Sequence, residues 1–91
     1  MKIAVIGLGY WGPNLVRNFL STDSIDQVVC FDTNPSNTAR AKKKFPSIEV
    51  ADSYESVLQR PDLDAVVIAT PVSTHYTLGI QALRAGKHLL V

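Results

Sequence analysis

Lys2-Ile3-Ala4-Val5-Ile6-Gly7-Leu8-Gly9-Tyr10-Trp11-Gly12-Pro13 is the stretch from which the fold can be read. Ile3–Ile6 is a continuous apolar run rich in β-branched residues, the pattern of a strand buried on both faces. The run stops at Gly7. The chain from Asn14 to Leu20 then places apolar residues at Leu15, Val16, Phe19 and Leu20, which is helical spacing. Pro13 suits the first turn of that helix, where a missing N–H costs nothing. A parallel-type strand therefore passes through a glycine-rich loop straight into a helix.

The same alternation continues along the chain. Gln27–Phe31 reads as a second strand with Asp32 at its carboxyl end. Asn34 caps and Pro35 opens a second helix, which runs to about Lys44 and gives way at Phe45-Pro46. Ile48–Val50 is a weak third strand. Asp52 and Glu55 have capping-box spacing ahead of Val57-Leu58, predicting a short third helix that Pro61 ends. Ala65–Ala69 is a fourth, wholly apolar strand. Ser73 or Thr74 is expected to cap a fourth helix, and Gly86 stands where a left-handed C-terminal residue is wanted. Lys87–Val91 begins a fifth strand. Connections this short leave parallel neighbours and right-handed crossovers. The fold class is α/β, a doubly wound parallel sheet of order 3-2-1-4-5 with its switch point between strands 1 and 4.

Composition agrees with one compact domain in 91 residues. Apolar residues make up 46% and charged residues 19%, with a net charge of +1. A disordered tail and a polybasic nucleic-acid arm are both excluded by that balance. The apolar run at the start is too short for a signal peptide or a membrane span. Cys30, the lone cysteine, has no internal partner, so a reducing, cytoplasmic setting is expected.

Gly7-Leu8-Gly9-Tyr10-Trp11-Gly12 fits G-x-G-x-x-G, a weak signal alone but informative between a strand and a helix. Gly7 permits the turn, Gly9 lets the backbone approach a pyrophosphate, and Gly12 lets the helix pack on the first strand. Free N–H groups in the helix's first turn suit phosphates. Asp32 stands about 20 positions beyond Gly12, where a carboxylate accepts from both ribose hydroxyls and repels a 2′-phosphate. The expected cofactor is NAD. Tyr10 and Trp11 either flank the cofactor path or contact another domain. The other reading of the whole constellation has the glycines serving packing and Asp32 capping the turn before Asn34.

Ala69-Thr70-Pro71-Val72-Ser73-Thr74-His75 and Ala82-Leu83-Arg84-Ala85-Gly86-Lys87-His88 extend these motifs. With them the sequence resembles the Gfo/Idh/MocA family of NAD(P)-dependent oxidoreductases over essentially its whole length. Gly9-Tyr10-Trp11-Gly12-Pro13-Asn14 resembles the branch of nucleotide-sugar dehydrogenases. The resemblance implies a Rossmann-like fold and places Thr70, Pro71 and His75 beside the cofactor. His75 admits two readings, a cofactor contact or a first-turn residue packed on the sheet edge. In the family the fifth strand runs into an E-K-P motif whose lysine takes part in proton transfer, and a second domain carries the substrate. Residues 1–91 are therefore expected to be a single, truncated dinucleotide-binding domain that lacks the substrate domain and does not catalyse by itself. The sugar substrate would belong to the full-length parent. A non-catalytic nucleotide-binding or regulatory module is the alternative, and an S-adenosylmethionine methyltransferase shares the strand–glycine–acid layout without the third glycine or T-P-x-x-x-H.

Other features have plainer readings. Lys42, Lys43 and Lys44 fall at a helix end, where cations offset the dipole, and Arg40 could meet a 2′-phosphate only against the charge of Asp32. Cys30 reads as a core residue, and His75 and His88 make no metal cluster. Leu89-Leu90-Val91 forms an apolar sheet edge, so a homodimer through that edge is expected, with no nucleic-acid or membrane partner.

Overall fold

A computed structural model describes all 91 residues. The elements run β1 (Lys2–Ile6), α1 (Gly12–Leu20), β2 (Gln27–Phe31), α2 (Pro35–Lys44), β3 (Glu49–Val50), α3 (Tyr54–Leu58) and β4 (Ala65–Ile68). A 3-10 turn (Val72–Thr74), α4 (His75–Arg84) and β5 (His88–Leu90) complete the chain. The five strands form one parallel sheet in the order β3-β2-β1-β4-β5. This is the predicted doubly wound, Rossmann-like arrangement.

The central strand explains the two layers. Val5 pairs with Cys30 on one side and Val67 on the other, and Ile3–Ile6 are all buried. Ile3 and Val5 face Leu8, Val16 and Ala41, so α1 and α2 cover that side. Ala4 and Ile6 face Val57, Leu63 and Ala82, so α3 and α4 cover the other. Burying each such branched side chain contributes about 1.5–3 kcal/mol. Cys30 is fully buried in β2, and desolvation pushes its thiol pKa up to about 12. It is a core residue, as read from the sequence.

Several local signals act as expected. Asn34 Oδ1 accepts from the Ser36 N–H at 3.0 Å with Pro35 opening α2. Lys42, Lys43 and Lys44 occupy the last turn of α2, and Lys42 Nζ donates to the carbonyls of Pro46 and Ile48. Gly86 ends α4 with φ +77°, a conformation costly for a residue with a Cβ. Others need correction. The box at α3 is made by Ser53 and Ser56, not by Asp52 and Glu55, because Ser53 is the residue whose extended backbone sets its hydroxyl beside the Ser56 N–H. Neither Ser73 nor Thr74 caps α4 through its side chain. Thr74 Oγ1 instead donates back to the Pro71 carbonyl at 2.7 Å, which winds Val72–Thr74 into the 3-10 turn. Helix α1 starts at Gly12, ahead of the predicted Asn14, and β3 is trimmed to Glu49–Val50.

Polar ties collect at the amino end of the sheet. Lys2 Nζ donates to Asp62 at 2.8 Å, and Lys2 N–H to Asp64 at 2.8 Å. The Arg60 guanidinium pairs with Glu49, which also accepts from Gln27 Nε2 at 2.9 Å. Lys87 Nζ reaches the carbonyls of Arg60 and Leu63 and so fastens the segment after α3 to the start of β5.

Candidate functional site

At the carboxyl ends of the strands the chain parts in two directions. After β1 it turns at Gly7 toward α1, and after β4 it leaves through Ala69 and Thr70 toward α4, on the opposite face. Divergence of neighbouring connections opens a crevice at this point in any sheet of the type. Here it encloses about 1230 Å³. Gly7, Gly9, Tyr10, Trp11, Asp32, Thr70, Pro71 and His75 all line it. The sequence-predicted residues thus converge from three separate segments. Gly12 alone of the set does not line it. It is buried behind the loop, where an added Cβ would overlap the carbonyl oxygen of Gly7, so its contribution is close packing.

The glycine loop has the geometry its sequence implies. Gly7 has φ +98°, and a Cβ there would come within 2.9 Å of the Ala69 and Thr70 backbone. A Cβ at Gly9 would meet nothing within 4 Å, so the space above the loop is open. The N–H groups of Asn14 and Leu15 are both taken by the Trp11 carbonyl, and Pro13 has none. Those of Gly9, Tyr10, Trp11 and Gly12 have no acceptor within the protein. A lip of open amides beside the start of α1 is chemically suited to an anionic diphosphate.

Asp32 stands beside the glycine loop. Its Oδ2 accepts from the Leu8 N–H at 2.7 Å and from Asn37 Nδ2 at 3.2 Å, and its Oδ1 accepts from the Asn34 N–H at 2.8 Å. These bonds fix the carboxylate between the glycine loop and α2. A carboxylate offers about four acceptor positions and three are taken, so capacity remains for one further donor, such as a ribose hydroxyl. The capping bonds of Asp32 therefore do not exclude the ligand reading of the same side chain. Tyr10 and Trp11 are mostly exposed, and their rings meet edge to face with centroids 5.0 Å apart.

Phe31, Tyr54 and Leu78 form an apolar wall of the crevice that sequence reasoning missed. Tyr54 Oη donates to the Leu78 carbonyl at 2.6 Å, joining α3 to α4, and burial raises the Tyr54 phenol above its ordinary value. A lone tyrosine one residue inside a short helix gives no sequence signal of this. His75 lies at the rim with Nε2 2.7 Å from the Thr70 carbonyl.

A switch-point crevice lined by open loop amides and a neighbouring carboxylate defines a doubly wound nucleotide-binding domain. The chain belongs to the Gfo/Idh/MocA oxidoreductase family, whose NAD-binding Rossmann fold matches residues 1–91. It is 36% identical over its full length to a 1-carboxy-3-chloro-3,4-dihydroxycyclohexa-1,5-diene dehydrogenase of Comamonas testosteroni, covering 23% of that protein. Among solved structures it resembles an NAD-binding protein from Listeria innocua, with TM-score 0.88, 34% identity and coverage of 97% of this chain and 26% of that one. It also resembles the biliverdin reductase of Synechocystis in complex with biliverdin and NADP+, with TM-score 0.87, 27% identity and coverage of 97% and 28%. The chain spans about a quarter of the length of these relatives.

Proposed function

We propose that residues 1–91 are a single dinucleotide-binding domain serving an oxidoreductase that acts on a sugar or nucleotide-sugar hydroxyl in the cytoplasm. The observation that carries this reading is the pairing of Asp32 with the open space over Gly9 across one crevice. In this reading the amides from Gly9 to Trp11 hold the diphosphate, and Asp32 holds the adenosine ribose. Thr70 and Pro71 line the path toward the reactive ring, with Tyr10 and Trp11 on the opposite rim. A bound nicotinamide cofactor supplies the hydride donor or acceptor. The chain's own part is to bind and orient it, and no residue of the 91 is assigned to proton transfer.

NAD is favoured over NADP because a 2′-phosphate would meet the Asp32 charge. The same crevice in a longer protein would present the reactive ring to a hydroxyl-bearing substrate. The β5 edge, where Leu90 is 57% and Val91 62% exposed, suits pairing with a second copy, so a homodimer belongs to this reading.

Calorimetric titration with NAD and NADP tests the cofactor assignment. NAD is expected to bind at least about tenfold more tightly, a difference near 1.4 kcal/mol. Asp32→Asn, which keeps an acceptor oxygen but removes the charge, is expected to narrow that gap. Failure of the folded chain to bind either dinucleotide would overturn the reading.

A further inference from the structure

The loop leaving β4 carries a closed set of hydrogen bonds for which cofactor contact gives no account. The Thr70 carbonyl lies 2.7 Å from His75 Nε2. A carbonyl oxygen only accepts, so Nε2 carries a proton and donates. Thr74 Oγ1 donates to the Pro71 carbonyl at 2.7 Å, and the Thr74 N–H reaches the same oxygen at 2.9 Å. A hydroxyl has one proton to give, so the 2.6 Å contact between the two threonine hydroxyls must run from Thr70 to Thr74. The ring nitrogen and both hydroxyl protons are thus spent inside the loop.

Packing does not do this work instead. The 3-10 turn buries no residue, and Val72 is 81% exposed. Meanwhile the Thr70 backbone is pressed against Gly7, where a Cβ would come within 2.9 Å of Thr70 N. The turn beyond Thr70 is therefore held chiefly by polar bonds, and His75 is the side chain that reaches back from α4 to the Thr70 carbonyl.

We propose that His75 is a positioning residue: its Nε2–H holds the Thr70 carbonyl, keeps the turn seated beside Gly7, and sets dinucleotide affinity without touching the dinucleotide. The affinity part rests on the reading of the preceding subsection. The role differs from a direct cofactor contact, which would use the ring face or Nδ1.

Two measurements test it. Nitrogen-15 spectra of the histidine-labelled chain should show a protonated Nε2 for His75, assigned by the signals that vanish in His75→Gln. In calorimetry with NAD, His75→Gln, whose amide N–H can reach the same carbonyl, should stay within about threefold of the unaltered chain. His75→Leu should weaken binding by about tenfold, the loss expected for one net hydrogen bond. An unprotonated Nε2, or equal weakening by both variants, would overturn the proposal. If the unaltered, folded chain binds no NAD, the dinucleotide reading falls and takes the affinity part with it. The clamp is then decided by amide exchange: Thr74 should exchange faster in His75→Leu and not in His75→Gln, and equal rates would end it.

Discussion

A Cβ at Gly12 would overlap the Gly7 carbonyl oxygen, and both partners in that clash are backbone. Neither can rotate away, so α1 would have to lift from β1. Gly12→Ala is expected to lower stability by about 1–3 kcal/mol, the usual cost of overpacking, read as a fall in the urea midpoint. An unchanged midpoint would show that the loop has slack that its geometry denies. Asp32 was open to a capping reading and a ligand reading from its spacing alone, and its bonds to Leu8, Asn34 and Asn37 leave it capable of both. His75 was likewise legible as a rim residue, but its bond to the Thr70 carbonyl was not, because only the 3-10 turn brings positions five apart into reach.

Elements with strong local chemistry could be read directly, and those made by their neighbours could not. The β-branched run at Gln27–Phe31 and the Asn34-Pro35 start of α2 lie where their residue types put them. Asp52 and Ser53 are adjacent residues of capping type, and backbone conformation, not identity, selects Ser53. Strand β3 is two residues long and depends on pairing with β2 and on its side-chain partners. The Arg60 guanidinium, by its hydrogen bond, holds the Glu49 carboxyl below its ordinary value of 4.5, with Gln27 adding to the effect. A lowered folded value means that this stabilisation is present above pH 4.5 and is lost as the pH falls through the folded value. Glu49 is 42% exposed, so the contribution is modest and screened by salt. Urea midpoints measured on the acid side of 4.5 should fall more steeply for the unaltered chain than for Glu49→Gln. Parallel curves would exclude the pair as a source of acid sensitivity.

On the scale of the molecule, an ellipsoid of 31 × 27 × 20 Å, the two sheet edges differ. β3 closes one side behind its ion pair, whereas β5 closes the other with Leu90 more than half exposed. Sedimentation at rising protein concentration should reveal a dimer, and Leu90→Lys should return it to monomer, because a charge on an edge strand opposes pairing. A monomer at high concentration would remove that assembly from the proposal. The crevice wall of Phe31, Tyr54 and Leu78 belongs to this scale as well, since residues from three distant segments meet there only through strand order. The strands all point one way, so the crevice opens at one pole of the molecule and the lattice of Lys2, Asp62, Arg60 and Glu49 lies at the other. Durability and selectivity thereby become independent dials. Evolution, or a protein engineer, can toughen the scaffold from its floor while leaving the choice of guest at its roof untouched.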